Sequence, residues 1–450
     1  MAAIQSLPEE LLIVVVQMVQ KQERRSHSTH PLLRSRSMLR SLLRLSLVCT
    51  GWREEILKCG VLWASIAVDT SRGDCLAATL TMLERSKGAE LELSVCFHTD
   101  YTIAERTGSI LASILNHHSR ITSLHLTADP PFTLKNDIPV PETTANALRT
   151  INYPTHPTLP RCLPELFRGL RELSLSVPSS STTVRISELL DIMKNSQRLE
   201  LLSLASLFVV KEDCPSTCVV HLPRLRRLSL RECDSSPILS RLVTPKTTQI
   251  KITLKSRGIR RYPSLHGVNI LSALPASLSS IRALEQTTSL ILEEDEGERY
   301  FGLGFAPFGS RDSLVVIKSR LFSREKFIRR SLRAISNHSY FDIIESFTFS
   351  YSSPVPTSWP TVFSRFCALL ELNTLTIHAA DVLHTLMQTT FDRTPLCFSL
   401  QRIRFFERLP NLSLRLDSQL FTAFHNFRIE SHCSAVRITL HYLDGQKEEL

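Results

Sequence analysis

The chain has 450 residues, 43% of them hydrophobic and 21% charged, a mixture that excludes an intrinsically disordered chain and suits several packed units or one elongated array. Its formal net charge of +10 admits an acidic partner, while only 13 glycines leave little material for a collagen-like segment or a glycine-built phosphate loop. The longest aliphatic run, Leu11 to Val16, falls far short of the ~20 residues of a membrane span, and Glu9 and Glu10 precede it, so neither a transmembrane helix nor a signal peptide is expected.

Ser6-Leu7-Pro8-Glu9 predicts a helix start, with an N-cap serine, a proline in the first turn and a glutamate that closes a capping box. Leu11, Leu12, Val15, Val16 and Val19 then predict one apolar face on a helix of about three turns. Residues 21–37 are polar, basic and interrupted by Pro31, which predicts a surface loop, with helicity resuming near Met38. Leu45, Val48, Cys49, Trp52 and Ile56 predict a stripe along a helix pair broken near Thr50-Gly51, and Leu62, Trp63 and Ile66 close the unit. Nine Lys or Arg against three Glu between Lys21 and Lys58 concentrate the positive charge here. So short a unit seldom makes a self-sufficient core, so it is expected to pack on the next domain, on a partner, or on both.

Leu7-Pro8-x-Glu10-Leu11-Leu12, followed after the loop by Leu42-Leu43-Arg44-Leu45-Ser46-Leu47-Val48-Cys49-x-x-Trp52-Arg53-Glu54 and then Leu62-Trp63, resembles the F-box, most of all in F-box proteins of basidiomycete fungi. The likeness covers roughly residues 4–66 and departs from the family in the basic insertion 21–37. It implies a three-helix F-box domain over 1–68 that docks on a Skp-type adaptor and, through it, on the cullin and RING subunits of an SCF-type ubiquitin ligase. Adaptor contact is carried by this resemblance onto Leu7, Pro8, Leu11, Leu45, Val48, Cys49 and Trp52, and also onto Trp63.

Leu76, Leu80 and Leu83 next predict a helix, and Leu91 to Val95 a strand. Leu-x-x-Leu-x-Leu cores then recur at 121–126, 148–153, 170–175, 199–204 and 225–230, with spacings of 27, 22, 29 and 26 residues. These spacings match irregular leucine-rich repeats, in which each unit is a strand plus a helix. Ile110, Leu111, Ile114 and Leu115, and Ile186, Leu189, Leu190 and Met193, fit the helical halves. Further strands are expected at 250–252, 287–292, 344–349, 372–377, 400–405 and 435–440. The expected fold is therefore α plus α/β: an F-box, then a curved parallel-sheet solenoid over 69–450 with insertions near 255–285 and 293–340. The second insertion begins with an acidic turn at Glu293 to Glu298 and continues with a basic helix near Arg324 to Ile335.

Alternate residues of the strands should line an exposed sheet face: Ser123, His125 and Thr127; Glu172, Ser174 and Ser176; Ser203 and Ala205; Arg227, Ser229 and Arg231. His125, Glu172, Ser174, Ser203, Arg227, Ser229 and Arg231 are the candidate contacts for a protein substrate. Eleven cysteines without a Cys-x-x-Cys are expected as free thiols in a reducing compartment, cytoplasm or nucleus. Cys214, Cys218, His221 and Cys233 hold soft-ligand chemistry, but their spacing fits no familiar zinc site, so no metal is expected. Gly302-Leu-Gly304 lacks the third glycine and the Gly-Lys-Ser/Thr of a phosphate loop, and no catalytic constellation or cofactor motif is present. Trp52 is the only aromatic residue of the basic segment 21–58, which disfavours nucleic-acid recognition. The resemblance therefore implies a non-catalytic substrate receptor; the alternative is a basic repeat scaffold that binds nucleic acid or an acidic protein independently of a ligase.

Overall fold

The computed structural model describes residues 8–26, 31–71, 73–97, 113–128, 167–176, 183–210, 218–255, 281–295, 300–307, 313–320, 343–350, 359–375, 379–389, 395–406, 418–442 and 447–449, without 115, 168, 207, 234, 365 and 434, together with 110, 274 and 310. The fold is mixed α/β, and the chain divides into two compact units, Met1–Arg226 and Arg227–Leu450. Helices α1 to α3 therefore share a unit with the first five strands.

Among the described residues, three helices open the first unit: α1 (Glu9–Ser26), α2 (Pro31–Leu45) and α3 (Thr50–Lys58). The surface loop expected over 21–37 is instead helical on both sides of a short connection. Residues 21–25 are mostly good helix formers that prolong α1, and Pro31 starts α2, where its fixed φ helps and its missing N–H costs nothing. The capping serine, Ser6, lies outside the described residues. The break between α2 and α3 falls at 46–49 rather than at Thr50-Gly51. Cys49 caps α3, its sulfur accepting the Trp52 amide at 3.4 Å, and Arg53 Nε donates to the Ser46 carbonyl at 3.2 Å.

A 3-10 turn at Gly60–Trp63 leads into strand β1 (Ser65–Asp69), followed by α4 (Cys75–Arg85) and β2 (Leu91–Phe97). Gly60 is required by close approach, because a Cβ there would lie 2.7 Å from the Ser86 carbonyl oxygen. Helix α4 turns Cys75, Thr79, Met82 and Leu83 inward and leaves Leu80 exposed, so its buried face is rotated from the predicted Leu76-Leu80-Leu83 stripe.

The sheet of this unit is wholly parallel, in the order β1, β2, β3 (Ile121–Ala128), β4 (Glu172–Ser176), β5 (Leu201–Ala205). Ile66, Leu93, Leu124, Leu173 and Leu202 stand level across it, and all are buried. Branched and aliphatic side chains at period two bury one face of each strand, each contributing roughly 1.5–3 kcal/mol when fully covered. The strand expected at 148–153 lies outside the described residues. β3 pairs directly with β4, although Ser123 and Glu172 are 49 positions apart. Helix α5 (Ile186–Asn195) falls where its Ile186, Leu189, Leu190 and Met193 spacing predicts and buries all four.

Among the described residues, the main sheet of the second unit has ten strands in the order β6 (Arg227–Arg231), β7 (Gln249–Lys255), β10 (Val315–Arg320), β9 (Tyr300–Ala306), β8 (Ser289–Asp295), β11 (Ser346–Ser350), β12 (Glu371–Leu375), β13 (Arg402–Phe406), β14 (Arg437–His441), β15 (Lys447–Glu449). Pairing is parallel except around β9 and at β14–β15. The segment expected as an insertion at 293–340 thus supplies strand pairing from within, through β9 and β10, and Glu293, Glu294 and Asp295 lie on β8 rather than in a turn. The helix expected near Arg324 to Ile335 lies outside the described residues. Leu228, Ile250, Val315, Phe305, Leu290, Phe347, Leu372, Ile403 and Ile438 form one buried row across nine strands. Beneath it, Phe347, Phe349, Phe366 and, from helix α6 (Trp359–Phe363), Trp359 and Phe363 cluster with ring centroids 4.7–6.4 Å apart. Helix α7 (Ser418–Glu430) contributes Arg428, buried with its guanidinium on backbone carbonyls.

Gly302 and Gly304 sit on β9 between two antiparallel neighbours, so they serve strand packing. A Cβ on Gly304 would stand 2.5 Å from Ser313 Oγ. Gly304→Ala is expected to lower stability by about 1–3 kcal/mol through overpacking. Adding Ser313→Ala should recover most of the loss in chemical denaturation, and a double variant no more stable than Gly304→Ala would refute the contact.

Candidate partner-binding surface

Successive residues of a helix turn by about 100°, so the apolar residues of α1 cover more than half its circumference. The structure divides that belt in two. Leu12 and Val16 are buried, with Gln20 beside them donating its Nε2 to the Leu62 carbonyl at 3.2 Å. Leu11, Val14, Val15 and Met18, at i, i+3, i+4 and i+7, face outward, Leu11 being 52% and Met18 66% exposed. The single apolar face expected from Leu11 to Val19 is therefore two faces with different fates.

The corner between α2 and α3 adds Leu43, Leu47 and Val48, with Leu47 71% exposed, and the 3-10 turn adds Val61. Among the described residues, eight exposed large hydrophobic side chains thus lie between positions 11 and 61. Scattered apolar exposure is ordinary, but a helical stripe of four beside an apolar corner is the kind of surface that a partner covers. Half of an aliphatic side chain corresponds to roughly 1 kcal/mol of burial, and association costs about 4–15 kcal/mol, so such a surface binds tightly only when most of it is covered together.

The residues predicted to meet a partner distribute unevenly. Leu7 lies outside the described residues. Pro8, Leu11 and Val48 are exposed; Leu45, Cys49 and Trp52 are half-buried at the α2–α3 corner. Trp63 is a correction, being 3% exposed. Its indole Nε1 donates to the Ile56 carbonyl at 2.8 Å and the Arg85 guanidinium lies 4.6 Å from its ring centroid, so its whole surface is spent within the unit. Val14, Met18, Leu43 and Leu47 were missed. For Val14 and Met18 the signal was present in the spacing 11, 14, 15, 18, which marks a second stripe beside the 12, 16 stripe.

On the sheet of the first unit, Glu92, Ser123 and Glu172 stand level, as do Ser94, His125, Ser174 and Ser203. Ser123 Oγ lies 3.1 Å from His125 Nε2 and donates to Glu172 Oε2 at 3.2 Å, while Glu92 is 4.0 Å from the same imidazole nitrogen. Ser123 and Ala205, expected on the open face, are buried; Ser123 is covered by the network it joins. His125, Glu172, Ser174 and Ser203 are half-buried on one polar surface; on β6 of the second unit, Arg227 and Arg231 are exposed and Ser229 is half-buried.

The described soft-ligand residues, Cys218, His221 and Cys233, form no metal-holding group. Cys214 lies outside the described residues, the Cys233 thiol donates to the Arg231 carbonyl at 3.2 Å, and Lys194 is held above the usual lysine range by its hydrogen bond to Cys218 and by Asp191. Among the described residues no group of three or more His, Cys, Asp or Glu is placed to hold a metal, nine cysteines are free thiols, and no helix is long and apolar enough to cross a membrane. No protein-family model matches the chain, and no curated protein is similar to it.

Proposed function

We propose that this chain is a substrate receptor of an SCF-type ubiquitin ligase: residues 1–68 act as an F-box that holds a Skp-type adaptor, and the strands and helices that follow act as an irregular leucine-rich repeat array that holds a protein substrate. The observation that carries the reading is the uncovered stripe Leu11, Val14, Val15 and Met18, together with the exposed Leu43, Leu47 and Val48, in the segment whose Leu-Pro and Leu-x-Leu-Val-Cys-x-x-Trp-Arg motifs resemble the F-box. Catalysis in this role is positional. Tethering raises the effective concentration of substrate lysines near a charged ubiquitin carrier bound elsewhere in the ligase, without a reacting group from this chain.

The test is co-purification of the full-length chain with a Skp-type adaptor. The wild type should retain it, and a Leu11→Asp, Met18→Asp variant with unchanged circular dichroism and melting temperature should lose at least about tenfold in retention, because two carboxylates would be desolvated in the interface. Absence of binding by the folded wild type would overturn the reading in favour of the basic scaffold.

A further inference from the structure

The outward positions of β6, β7 and β10 carry mostly cations and hydroxyls, with Gln249 and Val316 among them. Arg227, Ser229 and Arg231 on β6 stand level with Gln249, Lys251 and Thr253 on β7, and the last two with Val316 and Lys318 on β10. The alternate positions Leu228, Leu230, Ile250, Ile252, Val315 and Ile317 are buried, so the polar set occupies the other face. No carboxylate occupies the outward positions of these three strands. The next acidic register position on that face, Glu293 on β8, is separated from Lys318 by Gly302.

The cations are spaced regularly. Arg227, Lys251 at the level of Ser229, and Arg231 step along the strand direction by two residues each. That step is about 6.6 Å, the repeat of same-side residues in any extended polypeptide. Arg227, Lys251 and Arg231 are all exposed, so each retains reach toward a ligand laid on the sheet. No aromatic side chain stands at the outward positions of these strands, so bases find no stacking platform, whereas Ser229, Gln249 and Thr253 offer hydrogen bonds to a peptide backbone.

We propose that the face of β6, β7 and β10 is a docking surface for an extended acidic polypeptide segment with Asp or Glu at alternate positions, held by Arg227, Lys251 and Arg231. The proposal rests on the receptor reading only for the segment's role as part of a substrate; the charge complementarity stands on its own. Carboxylates spaced at two residues meet the three cations in order, and the intervening side chains point away from the sheet.

The test is fluorescence anisotropy of the full-length chain with a labelled decapeptide of alternating Ser and Glu, beside a Ser-Gln decapeptide and a single-stranded oligothymidylate. The Ser-Glu peptide should bind, weaken as salt rises from about 0.05 to 0.3 M, and lose about tenfold in affinity in an Arg227→Gln, Lys251→Gln, Arg231→Gln variant. Arg198→Gln, in the turn before β5, should change nothing. Absence of saturable Ser-Glu binding at low salt, equal binding of the Ser-Gln peptide, equal binding by the triple variant, or tighter oligothymidylate binding through the same three residues would each overturn the proposal. Adaptor capture by the same preparations separates the two readings: a chain that captures the adaptor but ignores the peptide sinks this proposal alone, and the reverse sinks the receptor reading alone.

Discussion

Arg428→Met should destabilise the second unit by about 3–5 kcal/mol, a large part of the stability of an ordinary domain. Arg428 is 1% exposed and donates to the carbonyls of Leu396, Cys397, Phe398 and Leu400 at 3.0–3.4 Å. Those carbonyls converge because Cys397 sits in the left-handed region at φ 49, a conformation that a residue with a Cβ adopts only when its surroundings enforce it. Methionine fills the volume but takes the guanidinium donors from four carbonyls; Cys397 keeps the Leu400 amide at 2.9 Å, while each buried acceptor left without a donor costs roughly 1–3 kcal/mol before relaxation. Arg428→Lys should recover little, since one ammonium lacks the planar fork that spans four oxygens. The Cys397 thiol, pushed up by burial and donating to the Phe363 carbonyl at 3.4 Å, stays protonated and offers no anion to the guanidinium. Urea unfolding with amide exchange read on β13 and β14 would check this; a change below about 1 kcal/mol in Arg428→Met would show that the carbonyls do not depend on the guanidinium.

The second large effect separates packing from docking in the helical segment. Trp63→Ala should cost about 3–5 kcal/mol in the first unit, through the cavity left among Leu62, Met38, Leu42 and Met82, the lost bond to the Ile56 carbonyl and the lost ring under Arg85. Leu11→Asp with Met18→Asp should leave stability nearly unchanged, since both side chains already face water. A melting temperature that barely moves in Trp63→Ala would contradict the buried position of the indole. Loss of adaptor retention in Trp63→Ala alone would be read as unfolding, which is why the stripe variant carries the binding test.

Strand positions were legible because period two is a strong local signal: Leu124, Leu173, Leu202, Leu228, Ile250, Leu290, Phe347, Leu372, Ile403 and Ile438 all lie on strands predicted from sequence. Other elements were hidden for identifiable reasons. β1 follows Leu62-Trp63 so closely that Ile66 reads as the end of the helical unit. β9 carries Gly302 and Gly304, which look like a loop until antiparallel neighbours on both sides account for them. Pro31 reads as a helix breaker, although at a first helical position it is a helix former. At the candidate surface, Leu11 and Val48, singled out by their motif, are exposed, whereas Trp63 is buried, because a tryptophan's partner, solvent or core, depends on the tertiary packing and not on its spacing. The division of α1 into a covered and an open side is likewise set by what lies against it.

Helix α2 lies against both β1 and β2, β1 is hydrogen-bonded into the sheet, and Gln20 ties α1 to the turn before it. There is consequently no swivel between the apolar stripe of α1 and the first strands. A protein seated on Leu11 and Met18 would inherit the orientation of β1 to β5, so its distance and angle to anything held on that sheet would be set by the chain's own packing, leaving reach to come from elsewhere in the assembly. Glycines inserted at Ala64, whose carbonyl accepts the Glu92 amide at 2.9 Å, would add freedom only after that bond and the packing of α2 on β1 and β2 had been broken.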